Sequence, residues 1–207
     1  MTRLPLFALL AALAVAPGCA EPDPPPQPMV EPEPLPPPPP APPEEGPGVD
    51  TISVEGEPMA MDVVPYETPL GFPLPFTARI PADFQAESLS SGEGDAVRFT
   101  VDGREDYVLN VFVPADAAMD EAGFAEYAAA MGAVDRSERL PDWARARFST
   151  FTDDAYFATV SLTRHADRPV LVSTRYPGDA ADGMAPRFGY VVDRIRWADT
   201  GRLLIDG

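Results

Sequence analysis

The chain holds 207 residues, 33 of them acidic and 15 basic, for a formal net charge of −18 at pH 7. So acidic a balance lacks the cationic footprint that nucleic-acid binding needs, and anionic lipid headgroups would repel it. A single cysteine and a single histidine leave no disulfide framework and no clustered ligands for zinc.

The first stretch reads as an address. Arg3 is a short positive n-region. Leu4 to Val15 is an apolar run of signal-peptide length, too short to span a bilayer. Pro17 and Gly18 interrupt it just before Cys19. Ala16-Pro17-Gly18-Cys19 resembles the bacterial lipobox, although that motif prefers Leu where this chain has Ala16. The resemblance implies that residues 1–18 are a lipoprotein signal peptide and that Cys19 is lipidated. One alternative is an ordinary cut after Ala14-Val15-Ala16, which leaves Cys19 a free thiol; the other is an uncleaved anchor. Ala20, rather than Asp, follows the cysteine, which in enteric-type bacteria favours the outer membrane. The expected location is the bacterial cell envelope, lipid-anchored on the outer membrane and facing the periplasm or the exterior.

Residues 19–48 then form an expected tether. Its stretch from 21 to 48 holds 15 of the 28 prolines. Proline fixes φ and removes a backbone donor, so polyproline II is the expected state, spanning about 85 Å at ~3.1 Å per residue. Six acids and no base in this segment add self-repulsion. Proline-rich segments also serve as ligands for aromatic grooves, but the position between anchor and domain favours a spacer. The charge is uneven: residues 1–134 carry 22 acids and 4 arginines, whereas residues 135–207 carry 11 of each. Lysine is absent.

Residues 49–70 are mixed, with Thr51 to Val54 and Met59 to Val64 readable as short strands or as continued linker. The expected globular domain spans 71–207. Phe76 to Ile80 alternates apolar and polar residues and ends at Pro81, which predicts a strand. Ser90 to Asp95 is a turn cluster, Val97 to Val101 a second strand, Asp102-Gly103 a hairpin turn, and Tyr107 to Val113 a third strand. That strand is apolar on both faces and therefore central. Asp116 is placed to cap a helix reaching Gly132, with Phe124, Tyr127, Ala128 and Met131 as its apolar stripe. Val134 to Leu140 offers a short strand. Trp143 to Phe151, Tyr156 to Arg164 and Pro169 to Tyr176 form a three-strand meander. A second helix carries Met184, Phe188, Val191, Val192 and Ile195, and Trp197 follows as a core plug. This order predicts an α+β fold, a mainly antiparallel sheet with helices packed on it.

The strand ending in Pro81, the helix with Phe124-Ala125-Glu126-Tyr127, the meander, and the closing Asp193-Arg194-Ile195-Arg196-Trp197 together resemble the PsbP/Mog1-like superfamily, and its bacterial lipoproteins in particular. The resemblance covers roughly residues 70–197. It implies an α/β/α sandwich and a non-enzymatic accessory or binding role, but it carries no catalytic motif.

The chemical inventory is sparse. His165 reads as an exposed turn residue, and no G-x-S-x-G or G-x-x-x-x-G-K-[ST] sequence accompanies it. Asp102-Gly103-Arg104-Glu105-Asp106 and Asp153-Asp154 are the nearest approaches to a calcium loop and read better as solvated turns. Arg145 and Arg147 alternate on one strand, and Thr159, Ser161 and Thr163 on the next. These five form a candidate anion-binding patch, or else the outer polar face of a sheet. No cofactor, metal or catalytic residue is expected. The expected function is a non-catalytic binding or accessory protein of the envelope. Its expected partners are the membrane, through the lipid, and an envelope protein, with no nucleic acid. The alternatives are an envelope hydrolase using paired carboxylates and a purely structural envelope protein.

Overall fold

Alternation with period two runs through most of the folded chain, and four two-residue loops turn it into hairpins. A computed structural model describes residues 46–151 and 156–206. The signal segment, Cys19, the tether to residue 45, and Thr152, Asp153 and Asp154 lie outside the described residues. Strand β1 (Gly48–Val54) turns at Glu55-Gly56 into β2 (Glu57–Glu67), and β3 (Phe76–Pro81) follows. Strand β4 (Phe84–Ser91) turns at Gly92-Glu93 into β5 (Gly94–Val101), which turns at Asp102-Gly103 into β6 (Arg104–Pro114). Helix α1 (Glu121–Ala130), β7 (Asp135–Arg136) and β8 (Ala146–Phe151) come next. Strand β9 (Tyr156–His165) turns at Ala166-Asp167 into β10 (Arg168–Pro177). Helix α2 (Ala181–Val192) and β11 (Arg196–Trp197) close the chain. In three of the four loops both residues have positive φ, the signature of turns whose twist matches that of the flanking strands. Ala166 (φ 47°) and Asp167 (φ 63°) adopt it without a glycine, so that turn is strained.

The strands form two sheets, ordered β1-β2-β3-β11 and β4-β5-β6-β10-β9-β8-β7. Every strand pairing among the described residues is antiparallel. The main core lies between them. Val97, Phe99, Leu109, Val111, Val113 and Val172 of the larger sheet pack with Ile52, Val63, Phe76 and Ile80 of the smaller one, and with Phe188 and Val191 of α2. Strand β6 is central, and Leu109, Val111 and Val113 on its inner face are wholly buried. On the outer face, Phe124 and Ala128 of α1 cover Val160, Leu162, Leu171 and Ala146, and Tyr127 stacks on Phe112 at 5.3 Å. Among the described residues no helix is long and apolar enough to cross a membrane.

The expected α+β sandwich of helices packed on a sheet is overturned. The fold is β-rich, with eleven strands in two sheets against helices of 10 and 12 residues among the described residues. The physical reason lies in two segments. Residues 48–67, read as strand or linker, are a full hairpin whose Ile52 and Val63 enter the core. Phe84–Ser91, where no strand was expected, is the edge strand of the larger sheet, exposed along most of both faces. With β3, the first hairpin supplies a second sheet where an α/β/α sandwich would place a helical layer. The folded body therefore starts well before residue 71.

Helix α1 begins later than expected. Its cap is Asp120, whose side chain accepts from the Gly123 N–H at 2.9 Å. Asp116 instead caps the preceding turn, accepting from the Ala118 N–H at 2.8 Å. The strand expected over Val134 to Leu140 shrinks to Asp135–Arg136. The meander forms as expected, and in its register Ala146 pairs with Leu162, Phe148 with Val160 and Thr150 with Ala158, so the small and apolar faces of β8 and β9 meet. Helix α2 is tied to the first strand. Asp50 accepts from the Tyr190 hydroxyl at 2.8 Å and from Arg194 at 3.1 Å. The Thr51 backbone N–H, donating to the same carboxyl at 2.8 Å, does most to hold it below the usual range, with Tyr190 and Arg194 adding to it and burial opposing.

Replacing Ala166 by Gly relieves the left-handed strain at the β9–β10 turn at some cost in chain entropy. The net expectation is a gain of about 0.5–1 kcal/mol in unfolding free energy, measured by urea denaturation. A loss of stability would show that the turn is not strained.

Candidate functional site

The inner face of the larger sheet changes character along its width. Two cross-strand rows run from β6 to β8: Leu109, Thr174, Thr159, Ser149, and Val111, Val172, Ser161, Arg147. Each starts apolar and ends polar. Helix α2 lies over the boundary, and between it and the sheet is a cleft of about 200 Å³. Arg147, Thr159, Ser161, Thr174 and Tyr176 form its floor. Phe188, Gly189 and Val192 line it from α2, Asp193 from the cap that follows, and Trp143 from the segment before β8.

The hydroxyls here are not on an outer polar face. Thr159 and Ser161 are buried, 3% and 2% exposed. The Thr159 and Thr174 hydroxyls hydrogen-bond each other at 2.8 Å. Arg147 is half-buried, and burial lowers its pKa against the opposing influence of Tyr176. Burial also pushes the Tyr176 phenol up to about 12, with Arg147 pulling the other way. At neutral pH the phenol is therefore a donor. The Asp193 carboxyl is raised by burial, with Arg194 opposing. Among the described residues no carboxylate lies within ion-pair distance of Arg147.

The five residues of the expected anion patch are thus divided. Arg147, Thr159 and Ser161 meet in the cleft, with Arg147 directly opposite Ser161. Arg145 is exposed and joins the sheet through its backbone, donating to the Leu162 carbonyl at 2.8 Å. Thr163, buried, lines a separate depression with His165 and Trp197. Tyr176, Thr174 and Asp193 were missed. The signal for Thr174 was available: it interrupts an apolar alternation, Val170, Val172, Thr174, Tyr176, on one face of β10.

His165 is not the exposed turn residue expected. Its side chain is 13% exposed. The ring stacks on Trp197 at 4.3 Å, and Nε2 faces the Asp199 carboxylate at 2.9 Å. Trp197 itself is buried edge-on to Phe76, as a core plug should be. No Ser, Thr or Cys among the described residues hydrogen-bonds His165. Asp102-Gly103 is a hairpin turn, and Asp106 is paired with Arg104 at 2.8 Å. Among the described residues no group of three His, Cys, Asp or Glu side chains is placed to hold a metal.

No family model and no curated protein matches the chain. A half-buried guanidinium with no carboxylate in ion-pair reach among the described residues, set beside hydroxyls and a protonated phenol, presents the kind of donor set that anions engage.

Tyr176 gives this region a pH signature. The folded state holds its proton up to about pH 12, the unfolded chain only to about 10. The stabilising difference is complete below pH 10 and is lost as pH rises from about 10 through about 12, with a limiting slope of about 1.4 kcal/mol per pH unit. Tyr176→Phe is expected to flatten the alkaline loss of stability over that interval, measured by denaturation at stepped pH. An unchanged slope would place the ionising phenol elsewhere.

Proposed function

We propose that this chain is a lipid-anchored, non-catalytic binding or accessory protein of the bacterial cell envelope, and that its folded body holds a small anion in the cleft beneath α2. The observation that carries the binding half is Arg147, half-buried, without a carboxylate partner among the described residues and facing buried hydroxyls. Leaving such a charge uncompensated costs free energy that a bound anion would offset. The anchoring half rests on the sequence: the apolar run from Leu4 to Val15, the break at Pro17-Gly18 and the lone Cys19. The resemblance to the PsbP/Mog1-like superfamily adds an expectation of an accessory role and no more.

A paired-carboxylate hydrolase is the weaker reading, because Asp193 is the only carboxylate among the described residues lining the cleft. A purely structural protein gives no reason for Arg147 to lie where it does.

Calorimetric titration of the full chain with inorganic phosphate, sulfate and acetate tests the binding half. At least one is expected to bind saturably, and Arg147→Met is expected to weaken it about ten- to a hundredfold, the worth of a charge-assisted hydrogen bond of ~1.5–3 kcal/mol. Equal binding by wild type and variant would remove the cleft from the argument. For the anchor, Cys19→Ser is expected to move the protein from the membrane to the soluble fraction, and mass spectrometry of the wild-type N-terminus is expected to find acylated Cys19. An unmodified thiol there would end the lipoprotein reading.

A further inference from the structure

The outer face of the larger sheet is covered over only part of its width. Helix α1 shields the part around Val160, Leu162 and Leu171, and it stops at Met131. Beside that end is a second cavity of about 220 Å³, lined by Arg98, Glu105, Asn110, Ser173 and Arg175. Arg98, Asn110 and Ser173 form one cross-strand row over β5, β6 and β10. The cavity lies on the opposite face of the sheet from the cleft beneath α2, and its argument is independent of that cleft.

Two polar atoms in this row are buried without a hydrogen-bond partner: the Arg98 Nε and the Asn110 Oδ1. The Asn110 amide nitrogen is engaged, donating to the Ser173 hydroxyl at 3.3 Å. Each unmade bond at a buried atom is a standing penalty, and folded proteins keep few of them. One orphan is a cationic donor and the other a neutral acceptor. They are cross-strand neighbours, yet they do not satisfy each other. Arg98 enters no ion pair among the described residues. Arg175 has its guanidinium carbon 4.2 Å from the centre of the Tyr156 ring, a contact that leaves its charge in place, and the Asp106 carboxylate is its nearby electrostatic neighbour. Glu105 adds a carboxylate to the same cavity.

An anion alone would engage the guanidiniums but leave the Asn110 Oδ1 unpaired and meet the charge of Glu105. A cation alone would face Arg98 and Arg175. We propose that this cavity binds a small amino-carboxylate zwitterion, with its carboxylate on Arg98 and Arg175 and its ammonium on the Asn110 Oδ1 and Glu105. Such a ligand meets both orphans at once and complements all three charges.

The test is titration of the ¹⁵N-labelled full chain, followed by NMR at the Arg98 Nε–H and the Asn110 side-chain amide. The probes are glycine, β-alanine and γ-aminobutyrate, with butyrate and butylamine as single-charge controls. At least one zwitterion is expected to shift both signals saturably and to bind about tenfold or more tighter than either control. Arg98→Met is expected to abolish that binding. Glu105 is exposed, so Glu105→Gln leaves the fold intact and is expected to erase the preference for the zwitterion over butyrate even if Arg98→Met folds poorly. Butyrate binding as tightly as every zwitterion in the wild type would overturn the proposal. So would the absence of any saturable shift up to tens of millimolar probe, or a Glu105→Gln variant with an undiminished preference.

Discussion

A sheet has two faces, and a long antiparallel sheet must have its apolar parts covered on both. The seven-stranded sheet sets this problem, and the rest of the molecule answers it piecemeal. On the inner face the smaller sheet and α2 cover the apolar side chains of β5, β6 and β10. On the outer face α1 covers those of β8, β9 and β10. Neither cover extends over the whole sheet. The margins of each cover are where polar side chains enter otherwise apolar rows, and both cavities lie at such margins.

The two margins differ in chemistry. Beneath α2 the floor is a guanidinium, a phenol and hydroxyls, all donors at neutral pH. Beside α1 the lining mixes two guanidiniums with an amide oxygen and a carboxylate. The arginines involved, other than Arg98, come from the C-terminal part of the chain, where the acidic excess has vanished. The strongly acidic overall charge is thus a poor guide to local fields, which follow the few cations that lie partly out of water.

The strands that bury one face were legible in the sequence, because alternation is a direct imprint of one-sided burial. Phe76–Pro81 and Gly94–Val101 stood out in that way, whereas β9 and β10, buried on both faces, were read from their apolar and β-branched content between turn signals. The edge strand Phe84–Ser91 did not, since only Phe84 is buried and an edge needs little apolar content. The β1–β2 hairpin was ambiguous because its residues are mostly exposed or half-buried, with Ile52 and Val63 alone buried. Missing these two segments produced the wrong fold class. For the cleft, the alternation of Arg147 and the hydroxyls was readable, but the side of the sheet they face was not. Strand period places residues on a common face without saying whether that face meets water or a helix. His165 went astray for a related reason: its partners Trp197 and Asp199 are brought to it only by the tertiary fold.

The hydrogen bonds at Asp50 have a mechanical meaning. β1 is an outer strand, and it is the point at which the chain preceding Gly48 joins the sheet. A pull arriving from that direction is borne first by the ladder between β1 and β2, and next by Asp50, whose carboxylate holds Tyr190 and Arg194. Tyr190 belongs to α2, the same helix that roofs the cleft. The leading strand and that roof are therefore joined both by the core around Ile52 and by the polar link at Asp50, so a load on one would be felt at the other.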